Sequence, residues 1–400
     1  MISKDDNWWR DCVIYQVYLR SIGTYDVLTR NLNYFVDLGV DVLWINPTFP
    51  HGGKDGGYDI IDYYGVSEEF GTMEDFDFFL QQAHNLGLKV IMDLVINHTS
   101  NMHPWFIESS SGKGKRDWYC WQPKTFSPSE SNWISEFSDS PWTYNSNREQ
   151  YYYHFFYPDQ PDLNYRCEAV CDEIKKIFAF WLSKGVDGFR LDAVSHLIEE
   201  VGNNATDQSE NQINSNDNFR FWREMRQWVD NQYPGSILLA ETNNDHTTPL
   251  QVQKYQNIFH LVMDFNFLKH LDHHQASNAI EDLTTSKILR TLYGQTKDEL
   301  MIKNKGKCYF LNNHDMPRQR YGEEDTLRAM HVAKLLLGMP GAVIIYYGEE
   351  IGKPNDPTNL PYPENRIAAR GFLDLDNIPK NDLWYFYQHC ITQKKMNRCI

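Results

Sequence analysis

The chain alternates. Short apolar runs at 13–18, 42–45, 89–94, 188–191, 237–239, 260–263, 307–311 and 343–346 read as strands. Stretches with helical patterning at 27–38, 73–86, 168–182, 218–232, 276–292, 326–337 and 382–397 fall between or after them, the first ending at Gly39. A strand apolar along its whole length has to be covered on both faces, and regular βα alternation covers a parallel sheet with helices. Eight such strands predict an α/β fold that closes into a (β/α)8 TIM barrel. At 400 residues and 47.2 kDa the chain is long enough for that barrel and something more.

The surplus sits after the third strand. Residues 99–165 lose the βα rhythm and are rich in Ser, Pro, Trp and Tyr, with a Gly/Lys stretch at Ser111-Gly112-Lys113-Gly114-Lys115. An insertion after a barrel strand lies on the C-terminal face, where barrel enzymes keep their sites. The expected organisation is a barrel from 1–98 and 166–400, with 99–165 as an irregular inserted subdomain walling one side of a cleft. A second irregular insert, 202–217, is a polar loop of Asn, Gln, Ser and Asp.

Charge narrows the partners. A net charge of −16 with no visible basic face argues against nucleic acid, and equally against an anionic membrane surface or an anionic substrate. A neutral small molecule fits. Aromatic residues make up 14% of the chain and crowd into 105–165, which suits either stacking on the apolar faces of sugars or an aromatic subdomain core. The seven cysteines (12, 120, 167, 171, 308, 390 and 399) follow neither a zinc nor a redox spacing and read as reduced thiols. No signal peptide opens the chain and no apolar run approaches ~18 residues, so a soluble, cytoplasmic protein is expected. The oligomeric state is not encoded in any pattern of this kind.

The strand tips carry the chemistry. Gly188-Phe189-Arg190-Leu191-Asp192 and Ile237-Leu238-Leu239-Ala240-Glu241 each close an apolar run on a carboxylate. Two neighbouring carboxylates with opposite proton affinities are the minimum equipment for cleaving a glycosidic bond. Two further tips are polar, Asp93-Leu94-Val95-Ile96-Asn97-His98 and Asn312-Asn313-His314-Asp315. Four such tips on one rim are hard to explain by chance.

With these segments the chain resembles the alpha-amylase family of glycoside hydrolases. The resemblance rests on Asp93–His98, 188–196, 239–241 and 310–315. It also rests on Gln160-Pro161-Asp162-Leu163-Asn164, Trp8-Trp9-Arg10, Tyr15-Gln16-Val17-Tyr18 and Gly57-Tyr58-Asp59-Ile60. It implies Asp192 as nucleophile, Glu241 as general acid/base and Asp315 as the carboxylate that steadies an oxocarbenium-like transition state. By the same resemblance Tyr58, Asp59, His98, Arg190, His314 and Arg370 would bind glucose, and Asp93 would orient Arg190 or the nucleophile. Arg190 stands two residues before Asp192, on the same strand face, where its charge would serve a carboxylate that must stay ionised.

The implied activity is a retaining, exo-acting α-glucosidase for small α-glucosides. Ala193, after the nucleophile, favours α-1,4 bonds, since relatives specific for α-1,6 bonds carry Val there. The stretch at 160–164 resembles the oligo-1,6-glucosidase and trehalose-synthase branch, so a disaccharide transglucosidase or isomerase is the alternative. A non-catalytic relative acting as an interaction subunit is the third reading. No cofactor or metal is expected, because Ser21-Ile22-Gly23-Thr24-Tyr25-Asp26 offers too few oxygens for the cation site many relatives carry there. The chain departs from the family at Arg370-Gly371-Phe372-Leu373, where only the arginine matches, and the β-sandwich that usually follows is expected to be absent.

Overall fold

The computed structural model describes residues 7–199, 212–242, 247–276, 284, 287, 288, 291, 306–318 and 326–396. Its strands in chain order are β1 (Val13–Val17), β2 (Val42–Ile45), β3 (Lys89–Leu94), β4 (Trp121–Pro123), β5 (Trp142–Asn145), β6 (Gln150–Tyr153), β7 (Gly188–Leu191), β8 (Ile237–Ala240), β9 (Leu261–Met263), β10 (Lys307–Phe310) and β11 (Ala342–Tyr346). Eight of them close into a barrel in the order β1-β11-β10-β9-β8-β7-β3-β2. Strand β1 seals the ring. Its Tyr15 stands opposite Ile345 of β11 and Leu43 of β2, both in parallel register. The predicted (β/α)8 barrel is therefore present, and its strands are buried almost throughout, which is why they read as continuous apolar runs.

The helices between the strands follow their sequence signals. Helix Met73–Asn85 starts at Thr72, whose side chain forms a reciprocal capping box with Asp75. Helix Glu168–Lys184 buries Val170, Ile174, Ile177, Phe178 and Trp181, the one-face spacing of a core helix. The predicted helix 27–38 is instead two, Tyr25–Arg30 and Leu32–Leu38. The break falls at Asn31, whose side-chain amide donates to the Val27 carbonyl at 2.9 Å and to Asp376 at 2.7 Å. An asparagine that bonds locally competes with helix continuation. The second piece ends at Gly39, with φ 94°, a backbone conformation glycine adopts freely. Most of the predicted helix 276–292 and of the polar loop 202–217 lies outside the described residues, as does Cys399.

The insertion after β3 carries its own antiparallel sheet, in the order β4-β6-β5. The crowd of aromatic residues builds its core. Trp142, Tyr153 and Phe155 are buried there with Phe126 and Trp133 packed against them, and the Trp133 and Trp142 rings stack at 5.5 Å. Rings of this size bury ~150–250 Å² each, enough to hold a sheet this small.

The chain packs as two compact units. One comprises residues 1–46, 69–92 and 259–400, and the other 47–68 and 93–258. Among the described residues no helix is long and apolar enough to cross a membrane.

Candidate active site

In the unit formed by 47–68 and 93–258, one guanidinium organises three carboxylates. Strands β7 and β8 lie in parallel register with Arg190 opposite Leu239 and Leu191 opposite Ala240, so Asp192 and Glu241 leave adjacent strands at the same level. Gly188 sets how closely the two strands run. Its φ is 152°, and a Cβ there would lie 2.2 Å from the Ile237 carbonyl oxygen. Arg190, fully buried, places one terminal nitrogen 2.7 Å from Asp93 and 2.8 Å from Asp192, and its other terminal nitrogen against Glu241. Burial works against the charge of this guanidinium, but Asp93, Glu241 and Asp192 outweigh it and raise its pKa well above the usual arginine range.

Asp93 ends its strand completely buried. Burial pushes its carboxyl up to about 6, while Arg190 and the Tyr58 hydroxyl, which donates at 2.9 Å, pull it down. Asp59 is also pushed up to about 6 by burial, its oxygens accepting from the Lys54 amide at 2.9 Å and the Ser100 hydroxyl at 3.3 Å. His98 is held neutral, since burial lowers it to about 3. Its Nε2 lies 3.2 Å from the Tyr58 carbonyl oxygen, the donor side of a neutral ring. Tyr58, Asp59, Asp93, His98, Arg190, Asp192 and Glu241 thus all belong to this unit.

His314, Asp315 and Arg370 belong to the other unit and form a second centre. His314 Nδ1 accepts from the Gln16 amide at 3.0 Å, which leaves Nε2 to donate to Asp315 at 2.9 Å. Asp315 Oδ1 takes two arginines, Arg366 at 2.9 Å and Arg370 at 3.0 Å. Burial would raise the Asp315 carboxyl, yet His314, Arg366 and Arg370 together hold it well below the ordinary carboxylate range. Arg370 also donates to the His314 carbonyl at 2.8 Å and lies over the Tyr18 ring at 5.5 Å.

Each centre gathers residues that the family resemblance singled out, and the comparisons bear on the family itself. The alpha amylase catalytic-domain family matches residues 3–397. The chain belongs to the alpha-amylase family. It is 34% identical over 375 residues to the oligo-1,6-glucosidase of Bacillus cereus, covering 88% of this chain and 67% of that one. It is likewise 34% identical over 380 residues to the alpha-glucosidase of Pediococcus pentosaceus, at 86% and 66% coverage. The chain thus spans about two thirds of the length of these relatives. Among solved structures, the trehalose-6-phosphate hydrolase of Bacillus licheniformis superposes with a TM-score of 0.78 at 27% identity, over 97% of this chain and 84% of that one. These relatives place the chain in the α-glucosidase branch of this glycoside hydrolase family.

Many family members hold a cation in the loop after the first strand. In this chain that loop runs directly into a helix. Thr24 caps a helix and Asp26 pairs with Arg30 at 2.7 Å. Among the described residues no group of three His, Cys, Asp or Glu side chains is placed to hold a metal ion. The sequence assigns no site role to Arg366, nor to Gln16, although Gln16 lies in one of the segments that carry the resemblance. Arg366 left one trace, its position four residues before Arg370 on a single 3-10 helix, Glu364–Arg370. The capture of His314 by Gln16 joins residues 298 apart and leaves no local signal.

Proposed function

We propose that this protein is a retaining, exo-acting α-glucosidase for small α-glucosides, with residues 1–98 and 166–400 as its catalytic barrel and 99–165 as a wall of the cleft. Asp192 attacks the anomeric carbon as Glu241 donates a proton to the departing glycosidic oxygen. Water then attacks the glucosyl–Asp192 ester, giving up its proton to Glu241, and glucose leaves with its configuration retained. Asp315 steadies the positive charge that builds on the sugar ring. Tyr58, Asp59, His98, Arg190, His314 and Arg370 hold the glucose.

The observation that carries this reading is the single guanidinium of Arg190 touching both Asp192 and Glu241. Two carboxylates within one guanidinium's span fit the ~5–5.5 Å separation of a retaining pair better than the ~6.5–9.5 Å of an inverting one, which must admit a water. Pre-set charges of this kind cost no reorganisation when the reaction occurs.

On linkage, two observations pull apart. Ala193 favours α-1,4 bonds, whereas the Bacillus cereus relative is named for α-1,6 bonds. Ala193 also adopts φ 46°, where a β-branched side chain is strained, so the backbone restricts this residue independently of the substrate. The reading commits to α-1,4, and maltose set against isomaltose decides it.

The test is proton NMR of the purified protein with each disaccharide. α-Glucose released first, and lost from the Asp192→Asn variant by ~10³-fold or more, is the expected result. β-Glucose released first, or full activity in Asp192→Asn, refutes the retaining mechanism. A new disaccharide in place of glucose moves the protein to the transglucosidase reading.

A further inference from the structure

Arg318 follows the tip of β10 by three residues beyond Asp315, and its environment is unusual. It is 3% exposed, and among the described residues none of its three guanidinium nitrogens meets the geometry of a hydrogen bond. A guanidinium buried without hydrogen bonds costs free energy, so something must hold it there. Its close contacts are aromatic, and the buried Glu349 and Glu350 supply opposite charge nearby. The guanidinium carbon lies 4.3 Å from the Tyr346 ring centre and 4.5 Å from that of Tyr347. The backbone is fixed as well, with its amide donating to Asn355 at 2.7 Å and its carbonyl accepting from the same side chain at 3.0 Å.

Burial raises the Glu349 and Glu350 carboxyls and the Arg318 charge lowers both, but their hydrogen bonds go to other side chains. Glu349 accepts from Asn312 at 2.7 Å and Tyr387 at 2.9 Å, and Glu350 accepts from Tyr15 at 2.9 Å and from Tyr34. What the two tyrosines beneath Arg318 do is more telling. Tyr346 donates its hydroxyl to the Ala369 carbonyl at 3.0 Å, and Tyr347 donates to the Gly371 carbonyl at 2.7 Å. These carbonyls flank Arg370, whose own carbonyl takes the Ser21 hydroxyl. Arg366 and Arg370, on the segment so pinned, are the two cations on Asp315. The contacts run in a ring, from Asp315 along the chain to Arg318, across to Tyr346 and Tyr347, through their hydroxyls to Ala369 and Gly371, and back through the arginines to Asp315.

We infer that Arg318 is a positioning residue for Asp315. It fixes the Tyr346 and Tyr347 rings, so that their hydroxyls hold the Arg366–Arg370 segment where both guanidinium groups meet the carboxylate. This rests on the proposed role of Asp315 in binding the reacting sugar. The arrangement places a weak, non-directional contact at the root of a directional one. A shift of the rings by a fraction of an ångström is passed to the carboxylate, and misplacement of ~1 Å can cost ~10²-fold in rate.

The test is a double-mutant cycle on the full chain. Two readouts are used, kcat and KM for p-nitrophenyl α-D-glucoside and the calorimetric Kd of 1-deoxynojirimycin, a cationic glucose analogue that needs no turnover. Arg318→Met is expected to lower kcat/KM by roughly 10- to 100-fold and to weaken the analogue by ~10-fold. In the Asp315→Asn background it should change the analogue's Kd by less than ~2-fold, because the carboxylate it positions is gone. Arg318→Lys, which keeps a cation over the rings, should recover most of the loss. Tyr347→Phe keeps the ring and removes only the hydroxyl, so it tests the link even where Arg318→Met fails to fold, and a ~10-fold loss of kcat/KM is expected. If Arg318→Met costs the same factor in both backgrounds, or Tyr347→Phe behaves as wild type, the positioning role is overturned while the reading of Asp315 stands. If Asp315→Asn itself keeps wild-type activity and affinity, the reading of Asp315 fails first, and the positioning role with it.

Discussion

Replacing Arg190 by methionine should make the protein's stability steeply dependent on pH, in a direction the structure fixes. The guanidinium touches Asp93, Asp192 and Glu241, and Asp93 has no access to solvent. Breaking a buried pair by removing one partner typically costs ~3–5 kcal/mol while the orphaned group stays charged. In the wild-type protein the folded Asp93 carboxyl titrates at about 6, above its ordinary value of 3.8. Its raised pKa means the folded state holds a proton the unfolded state has released, so stability falls with rising pH between these values and is level above 6. Without Arg190 the folded carboxyl moves further up, and the fall continues. Each further pH unit costs ~1.4 kcal/mol, so between pH 6 and pH 8 the variant should lose up to ~2.7 kcal/mol that the wild type does not. Urea denaturation of both proteins at pH 5.5 and pH 8 measures the difference. The variant carrying Asp93→Asn as well should lose most of the extra slope, the remainder coming from the less buried Asp192 and Glu241. A deficit equal at both pH values, or a slope undiminished in the double variant, refutes the reasoning.

Asp162 offers a second pH test, with the opposite remedy. Burial pushes its carboxyl up to about 8, so its ionisation opposes folding across the neutral range. Asp162→Asn should therefore gain stability over wild type as pH rises from 5 to 8, approaching ~1.4 kcal/mol per unit, and parallel urea profiles would contradict this. Asn97, which donates to Asp162 at 3.0 Å and has an unpartnered Oδ1, can turn its amide to suit the new side chain. At Ala193 the left-handed backbone predicts a cost of ~1–2 kcal/mol for Ala193→Val, read as a lowered urea midpoint. Unchanged stability would mean the backbone relaxes there, and Ala193 would regain its weight as a marker of linkage.

The barrel was legible because each wholly buried strand must be apolar along its length, and the boundaries at 42–45, 89–94 and 188–191 match those observed. The helix at 27–38 misled because hydrophobic spacing does not register one asparagine bonding backward to Val27. At the site, Asp192 and Glu241 could be marked as candidates from their position at the ends of apolar runs, while their roles and the other candidates rested on the family resemblance. Arg366 and Arg318 could not, since they sit on irregular segments with no periodicity to mark them. The β5–β6 hairpin in the insert was also hidden. Each strand is only four residues long, too short for the Trp142/Tyr144 alternation of one or the tyrosine run of the other to stand out in a segment already rich in aromatic residues.

The distribution of buried arginines joins these observations. In a chain with a net charge of −16, the arginines buried among the described residues are 190, 318 and 366. Arg190 holds the Asp93, Asp192 and Glu241 carboxylates, and Arg366 holds Asp315. A protein with so many surface acids gains little by burying cations for stability, because a well-packed apolar side chain commonly does as well. What a buried cation does supply is a fixed positive field where water cannot screen it. Two of the three stand on carboxylates assigned to chemistry, and the remaining one, Arg318, lies over the tyrosines that hold Arg366 and Arg370 in place. On that argument the arginine that rests on aromatic rings belongs to the same apparatus as the two that rest on carboxylates.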